Sequence, residues 1–321
     1  AVLAKARWSN AGAALWQAVC APAAAMISES SSEPSKPWLW PSLLNSLSCR
    51  GCAMHCADVP PQGKKFFPFI RALQSSEISE DEGGLEWQPQ RCVEGGKRYT
   101  GQWKAGYRHG EGVLEQLDGS RYDGQFRAGK AHGSGRFTGA AGSSYEGQWR
   151  QDCAHGEGTY IKVNKWVYKG QWANDKKSGV GSEQWSNGSC YNGQYLDGKR
   201  HGQGVYWSPH GIKYEGEFKV DQMHGAGKYS FSDGRTYEGQ WREGYESGEG
   251  KMCWPSGAIY AGQYKDGVKS GEGTYTGPDG SIYRGQWSCG KEHGRGMAVD
   301  VQGRITKGVW AEGSHMHAFA D

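Results

Sequence analysis

The amino-acid sequence predicts an all-β protein: an elongated, single-layer, twisted antiparallel β-meander of ten 23-residue repeats, preceded by an irregular, partly helical extension. Tyrosine recurs every 23 residues from Tyr99 to Tyr283 without an insertion. Each repeat contains two strand-like runs separated by turns rich in Gly or Asp. Glycine supplies 52 of 321 residues, roughly twice the usual share of about 7%. These observations favour a thin repetitive sheet over a thick globular core.

The first strand of each repeat places Tyr, Gly and a second aromatic residue at alternate positions. Gly follows each Tyr by two residues, as in Gly101, and a ring follows by four, as in Trp103. Alternate residues of a strand point to one face. The glycine therefore leaves room between two large rings, and the intervening residue, nearly always Gln as in Gln102, is predicted on the wetter face.

The second strand opens with His-Gly-x-Gly, as in His109-Gly110-Glu111-Gly112, and continues through aromatic residues such as Tyr206 and Tyr275. The turn that follows often contains Asp-Gly or Asn-Gly, the strongest short-range hairpin signals. Two strands and two turns thus account for each 23-residue repeat, which predicts an antiparallel meander.

The repeated pattern Tyr-x-Gly-x-Trp-x-x-Gly-x-x-His-Gly-x-Gly resembles the MORN (membrane occupation and recognition nexus) repeat over residues 99–317. The resemblance implies a single-layered, twisted antiparallel sheet with an aromatic-lined groove. About twenty strands spaced by roughly 4.8 Å would give an array on the order of 95 Å long.

Some repeats depart from this pattern. The last repeat lacks both the leading Tyr and His-Gly-x-Gly, Lys165 replaces a turn glycine, and serine replaces the histidine at three positions. These serines are Ser178, Ser247 and Ser270. We expect local irregularity at these sites and a C-terminal cap.

The sequence divides into residues 1–98, where no repeat is visible, and the repeat array with its degenerate C-terminal cap at 99–321. The first region predicts short helices, linkers and a cysteine cluster. The chain starts at Ala1, which leaves open import into an organelle by a removed N-terminal peptide.

Candidate metal ligands are limited to the cysteine cluster and a histidine column. Zinc normally needs four ligands from paired motifs. Here a single Cys-x-x-Cys, Cys49 and Cys52, stands beside His55 and Cys56, and Cys92 would have to supply a distant fourth cysteine, so an incidental cluster is the favoured interpretation. Equivalent atoms of neighbouring repeats lie about 9 to 10 Å apart, too far to share a metal. The histidines are therefore predicted to hydrogen-bond neighbouring backbone at turns; they are His109, His132, His155, His201, His224 and His293.

Composition and motifs argue against several classes of function. The formal charge is only +3 and no long basic run is present, so we expect no nucleic-acid partner. No stretch reaches the roughly 18 to 20 apolar residues of a membrane-spanning helix. The chain has no distinctive catalytic motif and no nucleotide-binding loop. We therefore expect neither catalytic residues nor cofactors.

The aromatic ladder is predicted to form the core of the sheet and, where a single layer leaves it open, a groove that binds an extended or helical segment of a partner protein. Its residues are Tyr99, Trp103, Tyr122, Phe126, Tyr145, Trp149, Tyr168, Trp172, Tyr191, Tyr195, Tyr214, Phe218, Tyr237, Trp241, Tyr260, Tyr264, Tyr283, Trp287 and Trp310.

The predicted function is a non-enzymatic scaffold or adaptor that acts as a structural subunit of a larger assembly, through this groove and the N-terminal extension. The resemblance implies cytoplasmic arrays associated with the cytoskeleton, a cilium or the surface of a membrane complex. Two alternatives stay open: a membrane or phospholipid tether that contacts anionic lipid, and the regulatory repeat region of a larger enzyme.

Overall fold

The computed structural model describes residues 84–319, and their regular structure is β-sheet apart from a 3-10 helix at Glu94–Gly96. The N-terminal helix, linkers and cysteine cluster predicted from the sequence lie outside the described residues. The described residues divide into two compact units, 84–162 and 163–319.

The first unit is a meander of seven strands, each paired antiparallel with the next in sequence. They are β1 (Glu86–Val93), β2 (Lys97–Lys104), β3 (Tyr107–Glu115), β4 (Arg121–Arg127), β5 (Lys130–Thr138), β6 (Ser144–Arg150) and β7 (Cys153–Lys162).

The second unit continues the same pattern through fourteen strands, again each antiparallel to its neighbours in sequence. They are β8 (Trp166–Ala173), β9 (Lys176–Trp185), β10 (Cys190–Leu196), β11 (Lys199–Trp207), β12 (Lys213–Lys219), β13 (Gln222–Ser230), β14 (Thr236–Arg242), β15 (Tyr245–Cys253), β16 (Ile259–Lys265), β17 (Val268–Thr276), β18 (Ile282–Ser288), β19 (Lys291–Val299), β20 (Ile305–Ala311) and β21 (Ser314–Ala318). The predicted all-β antiparallel meander with two strands per repeat is confirmed.

The repeating core is built around one tyrosine per repeat. Tyr237 is completely buried, and its ring makes edge-on contacts with Trp241 and Tyr264 at centroid distances of 5.1 and 5.2 Å. Its hydroxyl donates a hydrogen bond of 2.9 Å to the carbonyl of Gln240, which satisfies a buried polar group. A side chain at Gly250 would collide with this hydroxyl, so the second glycine of Gly-x-Gly makes room for the tyrosine.

The conserved spacing of Gln and the first glycine of Gly-x-Gly has a local cause. The pairing of β14 with β15 shifts register between Gly239 and Trp241, so that three residues of β15, 247–249, lie opposite Gln240 alone. The Gln240 side-chain oxygen accepts a hydrogen bond of 3.2 Å from the Glu249 amide. Gly248 has a φ of 66°, and a side chain there would collide with Gln240. Only glycine adopts this conformation freely.

The departures from the repeat pattern disturb the fold little. Strands β9, β15 and β17 contain the serines that replace histidine, yet they pair with their neighbours in the usual register. Local irregularity, which we expected there, is absent from these three strands. Before Lys165, Asn164 adopts the left-handed conformation, with a φ of 55°, that glycine supplies in other repeats.

Both ends of the repeat pattern carry strands that the sequence did not indicate. Strand β1 pairs with β2 although it precedes the first tyrosine. Strand β21 pairs with β20 although the last repeat lacks His-Gly-x-Gly. Trp310 is buried and packs against the His315 ring at 4.9 Å. The aromatic stacking thus continues after the last tyrosine, and the C-terminal cap stays a prediction.

Candidate functional site

The rings of the aromatic ladder are more buried than the side chains of a binding surface usually are. Seven of its tyrosines are less than 2% exposed. The rings four residues later are at most 9% exposed from Phe126 to Trp310, and only Trp103 at the first repeat is more open. The predicted groove residues therefore form the core of the sheet, and a role for them in partner binding stays a prediction. Accessible rings on this face belong to other positions of the repeat.

A second set of residues shares the tyrosine face and differs from repeat to repeat. The residue nine places after each tyrosine pairs with the ring of the preceding strand, as in Trp172 with Lys177 and Tyr264 with Lys269. We call this set the variable column; it consists of Arg108, Ala131, Ala154, Lys177, Arg200, Met223, Glu246, Lys269, Glu292 and His315.

The two arginines of the variable column are held by backbone carbonyls. Arg108 donates a hydrogen bond of 2.6 Å to the Gly129 carbonyl, and Arg200 donates one of 3.1 Å to the Asp221 carbonyl. Each guanidinium carbon also lies 5.5 to 5.9 Å from the centroids of two rings of the ladder. Cation–π contacts and hydrogen bonds together compensate for the lost hydration of each charge.

Lys177 is held by a buried carboxylate, whereas Arg200 adds to its carbonyl contact an ion pair with the Asp221 carboxylate at 3.4 Å. The Lys177 ammonium lies 2.6 Å from Glu183 Oε1, and the Tyr195 hydroxyl donates a hydrogen bond of 3.1 Å to the other carboxylate oxygen. The ammonium is also 4.2 Å from the centroid of Trp166 and 5.0 Å from that of Tyr168. Burial lowers the pKa of Lys177, and the nearby Glu183 charge opposes that shift. The group is a closed, internally satisfied ion pair.

Lys269 occupies the same position in a later repeat but lies at an open cleft of about 380 Å³. Its ammonium is 4.7 to 5.1 Å from the centroids of four rings. These rings are Trp254, Tyr260, Tyr275 and Trp287. Burial lowers the pKa of Lys269, with an opposing effect of Glu292. No carboxylate of the described residues lies within 4.0 Å of this ammonium.

Two carboxylates complete the charge pattern of this face. Burial raises the pKa of Glu246 and of Glu292, and nearby Arg235 and Lys269, respectively, partly offset the effect. Glu292 lines the Lys269 cleft together with Lys291, which is already paired with Glu312 at 2.9 Å. The tyrosine face of the second unit thus combines partly accessible rings with charges of both signs.

A depression of about 530 Å³ lies on the opposite face of β3 to β6. Its charged lining includes Glu111, Asp123, Arg136 and Glu146, and Arg136 approaches Glu146 at 3.9 Å. Its floor is formed by the glycines and glutamines of the repeat and contains no aromatic ring. This surface therefore offers a partner little apolar area, and the Lys269 cleft is the stronger candidate.

The histidine column follows its predicted role in part. The Ala128 amide donates a long hydrogen bond of 3.5 Å to His109 Nδ1 at the next turn, as expected. Nδ1 of His155, however, is buried without a partner in the described structure. No group of three metal-ligating side chains occurs among residues 84–319, and the candidate ligands Cys49, Cys52, His55 and Cys56 lie outside that range. Within it, no helix is long and apolar enough to span a membrane.

Sequence reasoning missed the variable column because it followed the positions that stay constant. Lys177, Glu183 and Lys269 are not part of the repeat pattern, so they looked like ordinary surface charges. Aligning the repeats by their tyrosines would have placed Lys177 and Lys269 at one position, and Glu183 and Tyr275 at another. That alignment was the available signal.

Comparison with known proteins identifies the repeat. The family model described as MORN repeat matches nine consecutive segments: residues 99–121, 122–144, 145–167, 168–190, 191–211, 214–234, 237–259, 260–282 and 283–303. The degenerate tenth repeat lies beyond these matches. No curated protein matches the chain.

Two solved structures similar to this chain are distant from it in sequence. The TCP domain of Drosophila Melanogaster SAS-4 (dCPAP), in complex with a Proline Rich Motif of Ana2 (dSTIL), is 11% identical with a TM-score of 0.25, covering 61% of this chain and 88% of that one. The TCP10 domain of Danio rerio CPAP, in complex with a peptide of Danio rerio STIL, is 12% identical with a TM-score of 0.24, covering 67% and 95%. TM-scores this low do not establish a shared fold.

Proposed function

This chain belongs to the MORN repeat family, whose repeats are interaction modules for proteins or membranes, and from that premise we propose that it is a non-enzymatic protein-binding scaffold. The tyrosine face of β15 to β19 is its docking surface. The scaffold joins partner proteins as a structural subunit of a cytoplasmic assembly at the cytoskeleton, a cilium or a membrane complex. The N-terminal extension contributes further contacts.

The observation that carries this proposal is the cleft at Lys269. Trp254 and Tyr275 line it and are only partly buried. Neither belongs to the ladder of buried rings, and both keep part of their ring surface exposed. Partly exposed rings beside fixed charges are typical of surfaces that bind protein segments, because a ring contributes a large contact area with little loss of conformational freedom.

The charges on this face favour a protein over an anionic membrane. A lipid surface is bound best by a cluster of basic side chains. Here Glu246 and Glu292 alternate with Lys269 in the variable column, and Lys291 is paired with Glu312. The mixed signs suit a partner that presents a specific arrangement of charges.

The non-enzymatic part of the proposal rests on the same cleft. Its two charged groups without an ion-pair partner among the described residues, Lys269 and Glu292, are not in hydrogen-bonding contact with one another. A nucleophile is typically activated by a base within hydrogen-bonding reach of it. A regulatory role beside a catalytic domain is compatible with the same docking surface.

Photo-crosslinking of the full chain tests the docking surface. We would place p-benzoylphenylalanine at Tyr275 in the cleft, and for the matched control at Tyr245, which is 36% exposed and lies on the opposite face of β15. In native extract, we expect protein adducts from position 275 and few from position 245. Equal protein labelling from both positions would contradict the proposed docking surface. Adducts with lipid alone would favour the membrane tether.

A further inference from the structure

Lys177 and Lys269 are equivalent residues in two repeats of the second unit. They are 92 residues apart, which is four periods of 23. Each ammonium lies about 5 Å from the tyrosine nine residues earlier, Tyr168 or Tyr260, and close to the ring of the following repeat. Their backbones and immediate aromatic neighbours are therefore alike, and a difference between them reflects the residues around them.

The decisive difference is the residue six places after each lysine. At Lys177 this residue is Glu183, whose carboxylate accepts the ammonium at 2.6 Å and is itself only 7% exposed. At Lys269 it is Tyr275, whose ring centroid lies 5.1 Å from the ammonium. The tyrosine supplies a cation–π contact but no anionic acceptor. The position that an internal carboxylate fills in one repeat opens into a cleft in the other.

Within residues 84–319, Lys269 differs from the arginines and the other lysine of its column in lacking a hydrogen-bond acceptor. Arg108 and Arg200 donate to backbone carbonyls, and Lys177 donates to Glu183. The Lys269 ammonium has no acceptor among the described residues. A cation removed partly from water without an acceptor gains most from an anion that reaches it in the same low-dielectric surroundings.

The walls of the cleft restrict what such an anion can be attached to. Trp254, Tyr275 and Trp287 surround the ammonium with rings, so the anion must bring apolar groups that pack against them. Glu292 lines the same cleft and repels negative charge. A densely charged ligand is therefore disfavoured, whereas a single carboxylate with apolar neighbours fits.

We propose that the Lys269 cleft binds the side-chain carboxylate of a glutamate or aspartate in a partner protein segment, flanked by apolar residues that pack on the cleft rings. Glu183 holds beside Lys177 the position that the partner's carboxylate would take beside Lys269. This inference rests on the proposed function, because it names the partner chemistry of the same docking surface.

The test uses the full chain and two capped peptides that differ at one residue, a glutamate flanked by leucine and phenylalanine or a glutamine in the same place. Capping both ends removes the terminal carboxylate. Calorimetry should give at least about tenfold tighter binding for the glutamate peptide, as one charged hydrogen bond contributes. The Lys269→Met variant should bind both peptides equally.

Two further variants separate this site from a general electrostatic attraction. Tyr275→Glu recreates the internal carboxylate seen beside Lys177 and should abolish the preference for the glutamate peptide. Glu292→Gln removes the repelling charge and should strengthen binding of that peptide about twofold to threefold. Near-ultraviolet circular dichroism and the melting temperature of each variant establish that the cleft is folded.

Equal binding of the two peptides to the wild-type chain, or a preference that survives Lys269→Met, would overturn the inference. Binding to vesicles with one-fifth phosphatidylserine that is lost in Lys269→Met, without binding of the glutamate peptide, would also overturn it. The two proposals fail in different ways. Protein crosslinks from position 275 without a carboxylate preference leave the scaffold standing, whereas lipid-only crosslinks contradict the scaffold itself.

Discussion

The tyrosine column and the variable column lie on the same face of the same sheet and contact the same rings, yet one is constant and the other changes. Tyrosine fills the first column in nine repeats, whereas the second column contains six residue types. A tyrosine such as Tyr237 is fixed by its hydroxyl acceptor and by the glycine that makes room for it. Its neighbour in the variable column must only fit between two rings.

On the proposed function, this difference separates folding from recognition within one repeat. Replacing a tyrosine removes contacts with two rings and a hydrogen bond, so the fold constrains that position. The variable column tolerates alanine, methionine, glutamate, lysine or arginine, provided that a charge finds a partner. Repeats can therefore acquire different surface chemistry without loss of the sheet. The predictions below test that separation.

The largest effect is expected from Tyr237→Ala. Loss of this buried ring leaves a cavity beside Trp241 and Tyr264, and large-to-small substitutions of aromatic core residues typically cost about 3–5 kcal/mol. Guanidinium denaturation followed by tryptophan fluorescence would measure the change. Because each repeat packs mainly on its neighbours, unfolding of this variant should also begin in a separate, earlier transition.

The matched control is Tyr245→Ala. Tyr245 is 36% exposed and faces away from the ladder, so its replacement should change the free energy of unfolding by no more than about 0.5 kcal/mol. Similar costs for the two tyrosines would mean that the ladder does not dominate the stability of the sheet.

The second prediction compares the two lysines. Glu183→Gln leaves the Lys177 ammonium, whose side chain is 14% exposed, without its counter-charge. Breaking a buried ion pair from one side costs about 3 kcal/mol or more. Lys269→Met removes a partly buried charge that has no ion-pair partner, so it should be neutral or stabilising by up to about 1 kcal/mol. Chemical denaturation of the full chain measures both.

A double variant tests the cause of the loss. Lys177→Met combined with Glu183→Gln replaces the charged pair by neutral groups and should recover most of the stability that Glu183→Gln alone loses. If Lys269→Met lowers the free energy of unfolding as much as Glu183→Gln does, Lys269 makes a stabilising interaction comparable to the ion pair of Lys177. The distinction between a paired Lys177 and an unpaired Lys269 would then be wrong.

The fold was predictable from the sequence because its determinants repeat. Tyr99, Gly101 and Trp103 recur at fixed spacing, and alternation along a strand directly gives the face on which they lie. The Asp-Gly and Asn-Gly hairpin signals predicted where the second strand of a repeat ends. The strands β1 and β21 were not predictable in this way, since they lack the motif and are held by pairing with an adjacent regular strand.

The candidate site was less predictable for a physical reason. Whether a ring is core or surface depends on how its neighbours cover it, and a single repeat does not reveal that. The ladder rings look like a groove in the sequence, but rings of adjacent repeats cover one another edge-on, as Tyr260 and Trp287 do at 5.0 Å. Lys269 lacks a counter-charge because the residue six places later is Tyr275. The importance of that residue becomes clear only from the structure, where Glu183 at the equivalent position pairs with Lys177.

The third prediction concerns backbone strain at a turn. Val220 has a φ of 52° and is 50% exposed, a conformation that is unfavourable for a β-branched residue. Val220→Asn should stabilise the chain by about 0.5–1 kcal/mol, because asparagine tolerates the left-handed region. Thermal unfolding would measure the gain, and Asp197→Asn, at the equivalent turn with a φ of 51°, is the control that should change little.

The smallest expected effect is a pH dependence at Glu246. Burial raises the pKa of Glu246 in the folded chain, so at neutral pH the ionised carboxylate is less favourable in the folded state than in the unfolded state. Its contribution to stability therefore grows as the pH falls through the folded pKa toward the unfolded value of about 4.3. Glu246→Gln should stabilise the chain at pH 7 by about 0.5 kcal/mol.

The same substitution should make little difference near pH 3, about one unit below the unfolded pKa, where Glu246 is protonated in both states. Subtracting the denaturation free energies of wild type and Glu246→Gln at each pH cancels the other titrating groups, including Glu292, whose pKa burial also raises. A difference that stays constant with pH would mean that Glu246 is as well solvated in the folded chain as in the unfolded one. In that case the variable column would be ordinary surface at this repeat, and its role in recognition would be confined to repeats such as that of Lys269, where the partner group is missing.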